Sequence, residues 1–592
     1  MKDFFKYVLA TVTGLIIMGL LITIITVVSI VGMLSSSTVK VPDDCVLVLK
    51  LDGTLDERHE DNPFADLIGN GAAGSIGLDE VLRSIQNAKE NEKVKGIYIE
   101  AGTLSGATPA MLQEIRQALV DFKQSKKFIA AYGDIYTQGT YYISSVADSV
   151  LINPQGMIDW KGLAMQSIYY KDLMDKLGVH MEIFKVGTYK SAVEPYFLNE
   201  MSEANKEQIQ VFSGEIWNQM VKDVAASRKL KISELNAMAD TSMMFQSATQ
   251  YKKQKLVDRI AYSDAVPPML AKLAGVDEVK DYHTISVRDL AASASSKPKG
   301  TSGNIVAVYY AYGNIVDQLT SGFNPGAEIA SPKVVRDLHE LGENADVKAV
   351  VLRVNSGGGS AYASEQIWHE IQQLKKKKPV VVSMGGMAAS GGYYISCGAD
   401  WIVAEPTTLT GSIGIFGMFP VADELLNEKI GVHFQTVKTH NYADFGDYSR
   451  EMSEGEKVML QRYINRGYEL FTKRCADGRH LPQDSIKTIG EGRVWTGEHA
   501  KQLGLVDQLG SLQDAISVAK KKAKVDECTI LTYPAKKSLL ESLMNEVKSN
   551  TYADAQLKET FGEFYSFFRT LMSIDRRGSM QAQLPYYFIF NL

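Results

Sequence analysis

The stretch GGYYISCGADWIVAEP, Gly391–Pro406, has a counterpart earlier in the same chain: GTYYISSVADSVLINP, Gly139–Pro154. Tyr393 lies 252 positions after Tyr141. Other pairs flank this one in the same order. VLVLKLDGTLDE from Val46 is similar to VAVYYAYGNIVD from Val306, and VKGIYIE from Val94 to VKAVVLR from Val347. MSEANK from Met201 matches MSEGEK from Met452, and LVD from Leu256 matches LVD from Leu505. Their offsets drift only from about 260 to 249. Ordered matches of this kind identify an internal duplication.

Each half alternates short β-branched runs (Ile97–Ile99, Val350–Val354, Pro379–Met384) with helical patterns such as SEQIWHEIQQLKKKK from Ser364. That alternation predicts an α/β fold, a largely parallel sheet covered by helices, built twice. A glycine turn is expected after the first run of each half. Ala291–Gly303, AASASSKPKGTSG, reads as a linker. The expected organisation is therefore an N-terminal segment over 1–44, an α/β repeat over 45–290, a linker over 291–303, a second repeat over 304–535 and a tail over 536–592. The tail pattern is helical and aromatic (FGEFYSFFRTLM from Phe561) and suits packing or subunit contact. A chain of 592 residues, 45% of them hydrophobic, supports more than one domain.

Tyr7–Leu34 contains no charged residue. It is long enough for a transmembrane helix, which needs about 20 apolar residues. A cleaved signal peptide has a shorter apolar region, so the run reads as an uncleaved anchor. Lys2 and Lys6 precede it, which keeps the short N-terminus cytoplasmic and sends the bulk of the chain across. The net charge of −6 gives no support for nucleic-acid binding. Cys45, Cys397, Cys475 and Cys528 are scattered without zinc or disulfide spacing. The nine histidines form no HExxH, and Gly357–Gly359 lack the ending of a phosphate-binding loop. Neither a metal nor a cofactor is expected.

The two copies differ where chemistry is at stake. In SMGGMAASGGYYISCGAD, Ser383–Asp400, one hydroxyl, Ser390, sits between two alanines and two glycines. At the tyrosine offset the first copy has Gln138, which cannot attack a carbonyl. Superposing the MSE triplets sets KVGTYKSAVEPYFLNEMSE from Lys185 against TVKTHNYADFGDYSREMSE from Thr436, so that Lys190 faces Asn441. The second half keeps a serine without the lysine, and the first keeps a lysine without the serine. One site assembled from both halves accounts for the complementary loss. A serine hydroxyl needs an adjacent base, and burial can lower a lysine pKa by several units until its amine serves as one. The small residues Ala388, Ala389, Gly391 and Gly392 leave room for a substrate backbone. They also let a helix start directly after the serine, with its N–H groups facing developing negative charge.

Several segments carry a family resemblance: TYKSAVEPY around Lys190, LRVNSGGGSAYASE from Leu352, MAASGGYYIS around Ser390, LTGSIGIFG from Leu409 and GRVWTGEHAKQLGLVD from Gly492. From the N-terminal span to about residue 530 the chain resembles the signal peptide peptidase A (protease IV) family of bacteria in its long, duplicated form. The resemblance implies a serine–lysine peptidase on tandem ClpP/crotonase-like domains. It implies a single-pass anchor in the cytoplasmic membrane, catalytic domains on the extracytoplasmic (periplasmic) side, a homotetramer, and remnant signal peptides as substrates. Residue by residue, Ser390 is implied as nucleophile, Lys190 as general base and Ser412 as a group orienting the lysine. Gly358, Gly359 and Gly391 are implied as oxyanion donors, Gly358 ahead of Gly359. The sequence departs from the family at Gly357, where a proline is usual. Three other readings stay open: a Ser390–His440–Asp444 triad in the order of ClpP-like proteases, an acyl-CoA enzyme of crotonase type without a nucleophile, and a non-catalytic membrane scaffold.

Overall fold

The runs IVAVYYAY (Ile305–Tyr312), VKAVVLRVNS (Val347–Ser356) and VVVSMGGMAA (Val380–Ala389) are apolar on both faces, the mark of parallel strands covered on both sides by helices. In the computed structural model they pair in that way: Val347–Ser356 runs parallel between Ile305–Tyr312 and Val380–Ala389. The structure describes residues 40–59, 75–241, 243–295, 303–319, 327–535 and 581–583, together with positions 6–7, 13–14, 17–19 and 21. The body of the span Tyr7–Leu34 and the pattern from Phe561 lie outside the described residues. Among the described residues no helix is long and apolar enough to cross a membrane.

The first half holds a parallel sheet in the order Ser75–Gly77, Cys45–Asp56, Val94–Ser105, Phe128–Tyr136, Ser149–Ile158, Arg259–Ile260. The second holds an equivalent series: Thr529–Tyr533, Ile305–Tyr312, Val347–Ser356, Val380–Ala389, then Trp401–Ala404 and Gln508–Leu509. His283–Ser286 joins Cys45–Asp56 just as Thr529–Tyr533 joins Ile305–Tyr312. The expected glycine turns differ between the copies. Gly53 is a register shift inside the long strand Cys45–Asp56, whereas Gly313 ends its strand and hands the chain to Asn314–Val316 in another sheet. Helix Val287–Ser295 runs into the stretch that composition marks as a linker, with Leu290 and Ala291 buried in the first core.

A third sheet joins the halves, in the order Glu328–Ala330, Asn314–Val316, Gly358–Ser360, Gln581–Gln583, Ile415–Val421, His180–Val186. Its last two strands come one from each repeat and pair antiparallel from Ile415↔Val186 to Val421↔His180. Where the tail pattern predicts helix, its only described residues, Gln581–Gln583, are a strand.

The repeats also share a buried charged contact. Arg353 is 1% exposed and donates to both oxygens of Glu57 (3.1 and 3.2 Å), to Glu114 and to Ser383 Oγ (3.0 Å). Glu405 accepts from Gln117 Nε2 at 2.8 Å, across the repeats. Burial pushes both Glu114 and Glu405 above the usual carboxylate range. The repeats therefore meet through a desolvated charge cluster as well as through apolar packing.

Candidate active site

Strand Val380–Ala389 ends at Ser390, and helix Gly391–Ser396 begins at the next residue. The turn is tight enough to put Ser390 at φ 54°, ψ −115°, a strained conformation for a residue with a Cβ, costing roughly 1–3 kcal/mol. Its N–H donates to the Gly411 carbonyl at 2.9 Å, which fixes the turn against strand Leu409–Gly411. The glycines after it are a steric need. A Cβ on Gly392 would stand 2.6 Å from the Ser356 carbonyl oxygen.

Comparison of the copies shows what the serine gives up. In the first, Thr137 caps helix Gln138–Ser144 by accepting from the Thr140 N–H, and Gln138 Oε1 accepts from the N–H groups of Lys161 and Gly162. In the second, Ser390 occupies the N-cap position but its side chain makes no capping bond. A missing cap costs about 1 kcal/mol, and the hydroxyl is left for another partner.

That partner is Lys190. The antiparallel pairing of His180–Val186 with Ile415–Val421 carries the chain ends beyond both strands to one place, so Lys190, four residues past Val186, meets Ser412, three before Ile415. Lys190 Nζ lies 2.8 Å from Ser390 Oγ, 3.0 Å from Ser412 Oγ and 3.3 Å from the Ser412 carbonyl. All three residues are 0% exposed. Burial takes the lysine from its ordinary value down to about 7. Among the described residues no carboxylate contacts the amine to hold its charge, so half of it is neutral near pH 7. Gly414 and Gly492 wall the aliphatic stem: a Cβ at either would fall 3.2 Å from Lys190 Cδ or 2.7 Å from Lys190 N.

The segment around Arg493, part of a motif singled out in the sequence without a role, holds this arrangement in register. Its carbonyl accepts from the Ser412 N–H at 2.7 Å, and its guanidinium lies 4.6 Å from the ring centres of both Tyr189 and Trp495. It also donates to Tyr189 Oη at 3.0 Å and to Glu207 at 2.8 Å. The Tyr189 N–H donates to the Glu491 carbonyl at 2.9 Å. The lysine loop of one repeat is thus stitched to the serine repeat on both sides of the amine. Local sequence does not reveal this, because the partners lie about 300 positions apart.

Gly358 and Gly359 follow the strand end at Ser356 with φ of 104° and 153°. Gly357, the position usually taken by proline, is not in that left-handed region. The Gly358 N–H donates to Ser356 Oγ at 3.1 Å, and Ser356 Oγ in turn donates to the Gly313 carbonyl at 2.6 Å. A Cβ on Gly359 would meet the Ile315 carbonyl at 2.1 Å. Gly391 is the first residue of its helix, where an N–H has no intrahelical acceptor. His440 and Asp444 are elsewhere. His440 is exposed with Thr439 Oγ1 at 3.0 Å, and Asp444 pairs with Lys438 (3.0 Å) and Arg450 (2.8 Å). Asn441, aligned with Lys190, is also exposed. Among the described residues one group has metal-compatible spacing, His180, Glu182 and Glu451, and Glu182 already pairs with Lys457 at 2.8 Å.

A strand-to-helix serine with a buried amine beside it, on a parallel α/β scaffold built twice, has the make-up of a serine peptidase. The model of peptidase family S49 matches residues 121–277 and again 372–526, and the Clp protease model matches 324–403. The chain belongs to peptidase family S49, in its duplicated form. It is 37% identical to Protease 4 of Salmonella typhi over 522 residues, 86% of this chain and 83% of that one. It is 33% identical to Protease 4 of Haemophilus influenzae, over 96% of this chain and 90% of that one. It is 30% identical to the chloroplastic serine protease SPPA of Arabidopsis thaliana, over 76% of this chain and 66% of that one.

Proposed function

We propose that this serine peptidase works through a Ser390–Lys190 dyad, is held in the bacterial cytoplasmic membrane by the Tyr7–Leu34 span with its catalytic repeats on the extracytoplasmic side, and degrades remnant signal peptides as a homotetramer. The observation that carries the dyad is the 2.8 Å separation of Lys190 Nζ from Ser390 Oγ inside a site where both are 0% exposed. The neutral amine takes the hydroxyl proton as Oγ attacks the scissile carbonyl. The oxyanion that forms is met by the backbone N–H of Gly391 and by the Gly358–Gly359 loop, whose Gly358 N–H leaves Ser356 Oγ to reach it. The lysine, now an ammonium, passes its proton to the leaving amine and then activates the water that releases the acyl group. Ser412 holds the amine toward Ser390 throughout. The charge-free N-terminal span supports the membrane setting. Apolar peptides released sideways from the bilayer meet an enzyme tethered at that surface.

Three variants test the dyad. Ser390→Ala and Lys190→Ala are expected to abolish hydrolysis of an apolar peptide, while His440→Ala retains it. An active Lys190→Ala enzyme would end the dyad reading.

A further inference from the structure

Helix Gly391–Ser396 starts at the nucleophile and closes at Cys397, and the long helix Glu454–Arg479 of the same repeat packs against it. The contact has three successive rungs. Tyr394 stacks on Phe471 with ring centres 4.5 Å apart. At the other end Gly478 fits against Cys397 so closely that a Cβ on it would fall 2.3 Å from the Cys397 carbonyl oxygen. Cys397 lies one turn after Tyr394, and Cys475 lies between Phe471 and Gly478 on the same helical face. The middle rung is therefore Cys397 against Cys475. Both are free thiols, 0% exposed. Burial, and next the hydrogen-bonded Cys397 sulfur beside it, push the Cys475 thiol well above its ordinary value.

The first repeat fastens the same two helices by another device. The offset of 252 sets Ser145 at the position of Cys397, and the superposed MSE triplets set Val224 at that of Cys475. There Arg116 reaches both helices. It donates to Ser145 Oγ at 2.8 Å and to the Tyr142 carbonyl on one side, and to the Asp223 carbonyl at 2.8 Å and Ser227 Oγ at 2.5 Å on the other. The second repeat places two sulfurs at that contact instead.

We propose that Cys397 and Cys475 are a disulfide-forming pair that staples the helix following Ser390 to helix Glu454–Arg479. A separation of 78 positions hides the pair in the sequence. The oxidant is a small-molecule or protein disulfide. One cysteine thiolate attacks it and releases a thiol, and the second cysteine then displaces the other half. One S–S bond forms in the protein as two S–H bonds are lost, and the oxidant leaves as two thiols that carry away both electrons and both protons. Because the folded pair is buried and Cys475 holds its proton, the exchange takes place as the helices dock, before burial is complete. The bond closes a long loop in the unfolded chain, the case in which a disulfide stabilises most. The inference rests on the extracytoplasmic reading only for the cellular source of the oxidant, since the helix contact is independent of it.

The test uses the full chain, refolded from the denatured and reduced state either with oxidised and reduced glutathione or with a reductant alone, and then alkylated under denaturing conditions. With glutathione, only Cys45 and Cys528 are expected to take up the reagent, and the peptides holding Cys397 and Cys475 are expected to be joined by mass. With the reductant alone all four cysteines are expected to react. The bridged protein is expected to melt about 5–10 °C higher. A Cys45→Ala/Cys528→Ala variant is expected to keep that difference between its oxidised and reduced forms, and Cys397→Ala/Cys475→Ala to lose it. Four reactive thiols after glutathione, a bridge between any other pair, or equal melting temperatures for the two wild-type forms would overturn the inference. A bridge formed in glutathione, together with free thiols in protein taken directly from cells, would support the pair and count against the extracytoplasmic reading.

Discussion

Replacing Lys190 with methionine separates what the amine does for catalysis from what it costs the fold. An unfolded lysine titrates near 10.4, and the buried one titrates near 7. Between those values the unfolded chain binds the extra proton, so stability rises with pH across the window from 7 to about 10. Integrating that difference gives roughly 4 kcal/mol of destabilisation at pH 7 that disappears above pH 10. Methionine carries no such penalty. It does leave the Ser390 and Ser412 hydroxyls without the amine, which costs about 1–3 kcal/mol each when a buried group is orphaned. The absolute stabilities of the two proteins at pH 7 are therefore close. Their pH dependence is not: measured by urea unfolding from pH 7 to 10, wild type is expected to gain roughly 4 kcal/mol relative to Lys190→Met. Peptide hydrolysis by the variant is expected to be lost. A stability difference that stays flat over that range would show that the amine is not desolvated, and the base assignment would fall with it.

Ser412→Ala removes an acceptor of the ammonium form, so the acid limb of the kcat/KM profile is expected to move to lower pH as the rate falls about tenfold or more; an unchanged profile would remove Ser412 from the site. Gly392→Ala places a Cβ 2.6 Å from the Ser356 carbonyl and is expected to lower stability by about 1–3 kcal/mol in thermal unfolding, with lost activity; a fully stable, active variant would show that the turn is not close-packed. Arg353→Met leaves Glu57 and Glu114 without their cation and is expected to cost roughly 3–5 kcal/mol. The triple change with Glu57→Gln and Glu114→Gln should recover part of that in denaturant titrations, and no recovery would contradict the charge argument.

Much of the architecture was legible because duplication prints the same pattern twice. The strand runs and the YYIS helix entry recur at a nearly constant offset, and buried parallel strands are uniformly apolar, so both sheets can be read from the sequence. Ser390 and Lys190 stand out for a different reason: each is present in only one copy, and one site shared by both halves would explain that. What brings them together was not legible. The pairing of His180–Val186 with Ile415–Val421 depends on strands more than 200 residues apart, and both look like ordinary half-buried strands. Arg353 reads as a polar break in an apolar run, and nothing local says that it bonds to two glutamates from the other repeat. The tail is expected to be helical, yet Gln581–Gln583 pairs as a strand between Gly358–Ser360 and Ile415–Val421, where tertiary pairing overrides local preference. His440, the histidine of the alternative triad, is exposed and away from the dyad.

The most direct measurement follows covalent capture of Ser390 by a serine-directed acylating reagent as a function of pH. The rate is expected to rise with pH, with a midpoint near 7 set by the buried amine, to map to Ser390 by peptide mass, and to collapse in Lys190→Ala while the serine is still present. Labelling of Ser390 at an undiminished rate in Lys190→Ala would contradict the dyad, and so would a midpoint left near the ordinary lysine value.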